Sequence, residues 1–309
     1  MKYRKMGKTD MTVSEITFGC WEMGGNQWTI VSDEGNAKAV RVALDNGITT
    51  FDTAERYGFG HSEEILAQGL GSNRKDVFIS TKVARENLRP ADMRTAIAGS
   101  LKRLNTDYID LYYIHWPNPE VAIEDTMAEM VKLKEEGLIR SIGVSNFGID
   151  LLNQAMAIGR IDAIQPEYSL LFRDIDVDVR PWCIENDVAI MSYSSIAQGI
   201  LTGAFHFGGV KLPEDDFRWR RRLFANGRLE KETPLINYMK EICDAKGITM
   251  SQLAIAWLLQ REGMTSAIVG TQSEKHLLEN LGALDVTLSA DEEAQLDKIS
   301  TEVIATFNL

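Results

Sequence analysis

Four reactive side chains of this chain each sit at, or just behind, the end of an apolar, β-prone run. Asp52 ends "ITTFD", and Tyr57 follows five positions later in the glycine-flanked stretch "ERYGFG". Lys82 lies at the end of "ISTKV" and His115 closes "DLYYIH", so the runs repeat at intervals of about thirty residues. Brought together, they have a coherent chemistry. A free phenol has a pKa of about 10 and is a sluggish proton donor near neutrality. A neighbouring ammonium favours the phenolate and is expected to lower that value. The ammonium in turn needs a counter-charge inside a closed pocket, which gives Asp52 its part as the partner of Lys82. His115 can donate to a carbonyl oxygen and orient it. Such a set is a proton donor facing a developing alkoxide, which carbonyl reduction by hydride requires. Each member alone has a plainer use, as a structural ion pair, a packing ring or a strand cap. Their occurrence on consecutive runs is what points to chemistry.

The elements that must position them alternate. After an opening that reads as a small β-hairpin with "KTDM" at its tip, eight β-prone runs follow: "EITFG", "ITTFD", "DVFISTKV", "YIDLYYIHW", "IRSIGVSN", "IDAIQPEY", "VAIMSYSS" and "SAIVG". Helical patterns stand between them, over 33–46, 62–70, 90–104, 123–136, 150–158, 178–185, 234–246, 251–261 and 274–281. Pro90 suits a first helical turn, Gly137 and Gly159 suit helix ends, and Ser289 before acids suits the start of a last helix. Strands apolar throughout and joined by helices imply a parallel sheet buried on both faces. Eight βα units favour a closed (β/α)₈ barrel, an α/β TIM barrel with an N-terminal hairpin and extra helices or loop after the seventh strand. No GxGxxG joins a first strand to a helix, which argues against a Rossmann domain. With no linker, low-complexity tract or longer repeat, residues 1–309 read as one domain. In such a barrel the C-terminal strand ends share one mouth, where Asp52, Tyr57, Lys82 and His115 would meet.

Composition bounds the partners. The 309 residues are 44% hydrophobic and 25% charged, as in an ordinary globular protein. A net charge of −12 opposes approach to nucleic acid or an anionic membrane. Cys20, Cys183 and Cys243 are odd in number and form no CxxC pair, so free thiols in a reducing compartment are expected. The polar start lacks a signal-peptide core, and no apolar run is long enough to span a bilayer, so a cytoplasmic location is expected. His61, His206 and His276 have no metal-ligand spacing, and no metal is expected. Monomer or small homo-oligomer is left open.

The motifs "FDTAERYG", "ISTKV", "DLYYIHWP" and "IGVSNF", in this order, resemble those of the aldo-keto reductases, and the likeness runs from "YRKMGKTDMTVSEITFG" to "ENLGAL", almost the whole chain. The segment "PEDDFR" after the seventh strand resembles the bacterial branch of that family. The resemblance implies a (β/α)₈ barrel holding an extended nicotinamide cofactor without a Rossmann fold. It implies Tyr57 as general acid, Lys82 and Asp52 as its tuning pair and His115 as the orienting group, in an NAD(P)H-dependent oxidoreductase that interconverts small aldehydes, ketones or sugars and alcohols.

The remaining strand ends are read in the same frame. Ser145, Asn146 and Gln165 suit the grip of a carboxamide, and Tyr193 offers a flat face to a nicotinamide ring. The resemblance adds Gly19, Cys20 and Trp21 at the mouth. It makes "SSIAQGILTG" a pyrophosphate loop with Ser194, Gln198, Gly199, Leu201 and Gly203, and matches Glu279 and Asn280 to adenine contacts. The basic "DFRWRRRLF" is either a solvated surface loop or a lid whose arginines screen cofactor phosphates. In the last turn, Gly270, Gln272 and His276 stand where many relatives carry Arg or Lys. Thr271, Ser273, Lys275 and His276 offer a weaker 2′-phosphate site; the resemblance implies NADP(H), which is favoured, and this turn leaves NAD(H) open. Trp21, Trp28 and Trp116, with Tyr57 and His115, are expected to wall an apolar substrate pocket, core packing being the alternative for the tryptophans. Two rivals remain: a cofactor-binding regulatory subunit of the same fold, like a potassium-channel β subunit, and a barrel hydrolase pairing Asp52 with another carboxylate.

Overall fold

The computed structural model describes residues 1–25, 32–225, 227–271 and 273–308. A two-stranded antiparallel hairpin, β1 (Tyr3–Lys5) and β2 (Thr12–Ser14), comes first, with Tyr3 opposite Ser14. Eight parallel strands follow: β3 (Ile16–Gly19), β4 (Thr50–Asp52), β5 (Phe78–Val83), β6 (Ile109–Ile114), β7 (Ile139–Ser145), β8 (Ala163–Gln165), β9 (Ala189–Ser192) and β10 (Met264–Gly270). They pair in chain order, and β10 returns to β3, so the sheet closes into a barrel. The expected (β/α)₈ architecture is thus present, and the hairpin with it. Closure leaves no edge among the eight barrel strands.

Helices cover the outside: α1 (Asp33–Asp45), α2 (His61–Leu70), α3 (Pro90–Arg103), α4 (Ile123–Glu135), α5 (Ile149–Ile158) and α6 (Val179–Asn186) in the first six units. α7 (Arg228–Lys231), α8 (Thr233–Lys246), α9 (Met250–Gln260), α10 (Glu274–Leu281) and α11 (Ala290–Ala305) complete the set. Their starts are locally specified. Ser32 caps α1, and reciprocal caps join Thr249 to Gln252 and Ser289 to Glu292 at α9 and α11. One strand is shorter than its sequence pattern: β8 stops at Gln165 because Pro166 has no N–H to continue the ladder, and pairing resumes only as a single bridge from Glu167 to Tyr193.

Two apolar layers result. Between sheet and helices lies the main core, and inside the barrel Leu111, Tyr113 and Met191 pack with Met6 and Val13 of the hairpin. The hairpin therefore plugs the N-terminal end, and the C-terminal mouth is the open one among the described residues. Among the described residues, no helix is long and apolar enough to cross a membrane.

Candidate active site

The floor of the mouth is made by the last residues of neighbouring strands. Asp52 pairs in register with Ser80 of β5, and Lys82, two residues on, points to the same face. Lys82 Nζ donates to Asp52 Oδ1 at 2.5 Å, to the Thr53 carbonyl at 2.7 Å and to Tyr57 Oη at 3.3 Å. Asp52 Oδ2 accepts from Ser80 Oγ at 2.7 Å and from Gln165 Nε2 at 2.8 Å. Lys82 is fully buried and Asp52 is 3% exposed, so the ion pair is dry, and both carboxylate oxygens accept hydrogen bonds.

Tyr57 reaches this pair through a contact of bare backbones. Gly58 adopts φ +61°, and a Cβ there would lie 2.4 Å from the Gly24 carbonyl oxygen. Only glycine lets the turns 21–24 and 57–60 touch, and the touch sets the Trp21 and Tyr57 rings 6.3 Å apart. His115, anchored by its N–H to the Val83 carbonyl at 3.1 Å, meets the Tyr57 ring edge-on at 5.8 Å. The four residues expected to meet do meet.

Burial sets their charge states. It raises the Tyr57 phenol, and the downward pull of Lys82 offsets this only in part, so the net direction is upward. This corrects the expectation that Lys82 would leave the phenol below its ordinary value: removal from water outweighs the ammonium. Burial by itself would lower the Lys82 ammonium, but Asp52 and then Tyr57 overcome it and hold it charged. Burial, with Lys82 and Arg56 adding, drives His115 down to about 3, so the imidazole is neutral. Its Nδ1 is buried without a hydrogen-bond partner among the described residues, which leaves Nε2 as the nitrogen for a substrate.

Beside this floor Asn146 ties three strand ends together. Its amide donates to the His115 carbonyl and to Ser145 Oγ, both at 3.0 Å, and accepts from Tyr193 Oη at 2.8 Å. It does so at φ +63°, and Ser194 and Gln198 are also left-handed, at +56° and +54°. Each such residue costs about 1–3 kcal/mol, strain that collects at the mouth.

A cleft of about 810 Å³ opens over the floor. Of the residues expected there, Gly19, Cys20, Trp21, Asp52, Tyr57, His115, Trp116, Ser145, Asn146, Gln165, Tyr193, Ser194, Gln198, Gly199, Gly270, Thr271, His276, Glu279 and Asn280 line it. Lys82 lies beneath. Three others have different work. Leu201 is buried in the main core, a Cβ on Gly203 would meet Met250 Sδ at 2.5 Å, and the Ser273 hydroxyl caps α10 by accepting from His276 N at 3.1 Å. Gln165 lines the cleft while its amide nitrogen also donates to Asp52. Trp28 and Gln272 lie outside the described residues. Of the basic segment, Arg218 and Arg221 line the cleft, whereas Arg222 pairs outward with Asp174 at 3.0 Å. Sequence reasoning missed Glu22, Arg56 and Phe59, which also line it. Phe59 follows Gly58, and Glu22 sits in the 21–24 turn, but nothing in their spacing marked them.

Comparison with known proteins agrees with this geometry. The model of the aldo/keto reductase family matches residues 15–301. The chain is 32% identical to aldo-keto reductase YhdN of Bacillus subtilis (strain 168), covering 99% of this chain and 95% of that one. It is 32% identical to the NADH-specific methylglyoxal reductase of Escherichia coli (strain K12), covering 98% and 99%. A solved aldo-keto reductase from Klebsiella pneumoniae in complex with NADPH superposes with a TM-score of 0.79 at 31% identity, covering 97% of this chain and 96% of that one. The chain belongs to the aldo/keto reductase family and is an oxidoreductase of that family.

Proposed function

We propose that this protein reduces small aldehydes and ketones to alcohols with NADPH as preferred cofactor and NADH as an alternative, using Tyr57 as the acid. The observation that carries the reading is the dry chain Asp52–Lys82–Tyr57 beside a neutral His115 on the floor of the cleft.

The residues fit a dinucleotide. Tyr193 and residues of α10 both line the cleft, and Gln198 Oε1 is buried at a left-handed residue without a donor among the described residues. Tyr193 and Asn146 would hold the nicotinamide end, Ser194, Gln198 and Gly199 the diphosphate, and Thr271, His276, Glu279 and Asn280 the adenosine. When bound, the nicotinamide supplies the hydride that adds to the carbonyl carbon. His115 Nε2 orients the carbonyl oxygen, and Tyr57 Oη donates its proton as negative charge grows there. Lys82 already donates to that phenol oxygen, so it stabilises the phenolate left behind, and Asp52 keeps Lys82 charged.

The test is Tyr57→Phe. Turnover is expected to fall by about 10²–10⁴-fold, the range general acids supply. NADPH binding, followed by quenching of tryptophan fluorescence, is expected to survive. Wild-type turnover in that variant removes Tyr57 from the mechanism. Titrating NADPH against NADH checks the cofactor preference, which the turn after Gly270, poor in cations, leaves to weaker groups.

A further inference from the structure

An acid in the cleft has no part in the chemistry above. Glu22 leans from the 21–24 turn over the end of β10: a Cβ on Gly270 would lie 2.9 Å from Glu22 Oε1 and 3.2 Å from its carboxyl carbon. Its Oε2 is buried and has no hydrogen-bond partner among the described residues. Facing it is the basic segment after β9. There Phe217 stands edge-on to Trp21 at 5.9 Å and the Arg221 guanidinium lies 5.6 Å from the Trp21 ring. From the same segment Arg218, forked onto Asp216 at 2.8 and 2.9 Å, attracts the Glu22 carboxylate. Gly270 ends β10 and lines the same cleft as Glu22, Arg218, Ser194, Gln198 and Gly199, so a diphosphate held by Ser194, Gln198 and Gly199 would share that cleft with Glu22. Two anions would then share one dry place and one arginine, and like charges there are costly.

We propose that Glu22 is a built-in competitor of the cofactor's diphosphate: ionised, it engages Arg218 in the free protein, and it takes a proton from solvent when a dinucleotide binds. Glu22 thereby sets cofactor affinity and makes it depend on pH. The proposal rests on the cofactor reading above.

Glu22 is coupled to Arg218, whose fork holds Asp216, and to Cys20; Arg221 and Tyr57 line the same cleft, to which the end of β10 contributes uncharged Val269 and Gly270. Burial raises Cys20 and Tyr57, and Arg218 holds Asp216 down, whereas burial brings Glu22, against the pull of Arg218, to about 7. Bound phosphates raise it further. Above that pH, binding takes up a proton and affinity falls as pH rises; well below it, Glu22 is neutral in both states and adds no slope.

The experiment measures NADPH and NADH dissociation constants by fluorescence quenching at about pH 6 and about pH 8.5, on either side of the Glu22 transition, for the wild type and Glu22→Gln. Calorimetry of the wild type at the higher pH, in two buffers of different ionisation enthalpy, counts the protons taken up. Expected are net proton uptake by the wild type, and binding by Glu22→Gln that is about tenfold tighter at the higher pH and unchanged at the lower. His276 and Glu279, at the α10 end, are common to both proteins and cancel. Equal pH slopes, zero proton uptake or weaker binding by Glu22→Gln overturns the proposal alone. A wild type that binds neither dinucleotide overturns the cofactor reading with it.

Discussion

Gln165 Nε2 donates to Asp52 Oδ2 at 2.8 Å from a residue 113 positions away, on the strand diametrically opposite in the barrel. The carboxylate that holds Lys82 is thus itself held across the lumen. Gln165→Leu removes a buried bond to a charged acceptor, worth about 1.5–3 kcal/mol. The urea midpoint is expected to fall with unchanged slope. Because Ser80 and Lys82 still grip Asp52, the loss in kcat is expected to be far smaller than in Tyr57→Phe. An unchanged midpoint would mean that the bond is not formed in solution.

The charge states on the floor predict an unusual pH profile. His115 is neutral down to about 3. Hence kcat at saturating cofactor is expected to show no histidine step between about pH 5 and 8, where an ordinary imidazole titrates. The phenol lies above its usual value, so the alkaline limb is expected beyond about pH 10. A step near neutrality that disappears in His115→Asn would show that the ring works as an imidazolium.

Trp21 touches the acid and the basic segment at once, through Tyr57, Phe217 and Arg221. Trp21→Ala removes a ring contact and a cation–π contact, together about 1–2 kcal/mol. The segment 217–222 is expected to be cut by trypsin about tenfold faster in this variant, and NADPH is expected to slow the cut in the wild type. Equal cleavage rates would show that Trp21 does not hold the segment down.

Glu232, at the start of α8, is fully buried, and both carboxyl oxygens lack partners among the described residues. Burial, offset in part by Arg228, lifts it to about 8. A carboxyl raised in the folded state binds more protons there than in the unfolded chain. Its contribution to stability is therefore complete below about pH 4.3 and is lost as pH rises through about 8. Glu232→Gln is expected to leave stability at pH 5 nearly unchanged and to gain about 1–3 kcal/mol at pH 9, read from denaturant curves. Parallel pH dependences of variant and wild type would refute this account.

Much of the molecule was legible because its signals are local. Alternating apolar runs, Pro90 at a helix start and the cap at Ser289 specify strands and helices over a few residues. The period of two along a strand sends Asp52 and Lys82 to one mouth once the barrel closes. What the residues could not disclose were sums over distant neighbours. The upward shift of Tyr57 against the pull of Lys82, the claim of Asp52 on Gln165, the withdrawal of Leu201 into the core and the burial of Glu22 over Gly270 all depend on which groups closure brings together and which it keeps from water. Amino-acid order by itself determined the reactive set and the scaffold that gathers it. Only tertiary structure decided their charges and loyalties, because desolvation and pairing are properties of a shared space and not of a position in the chain.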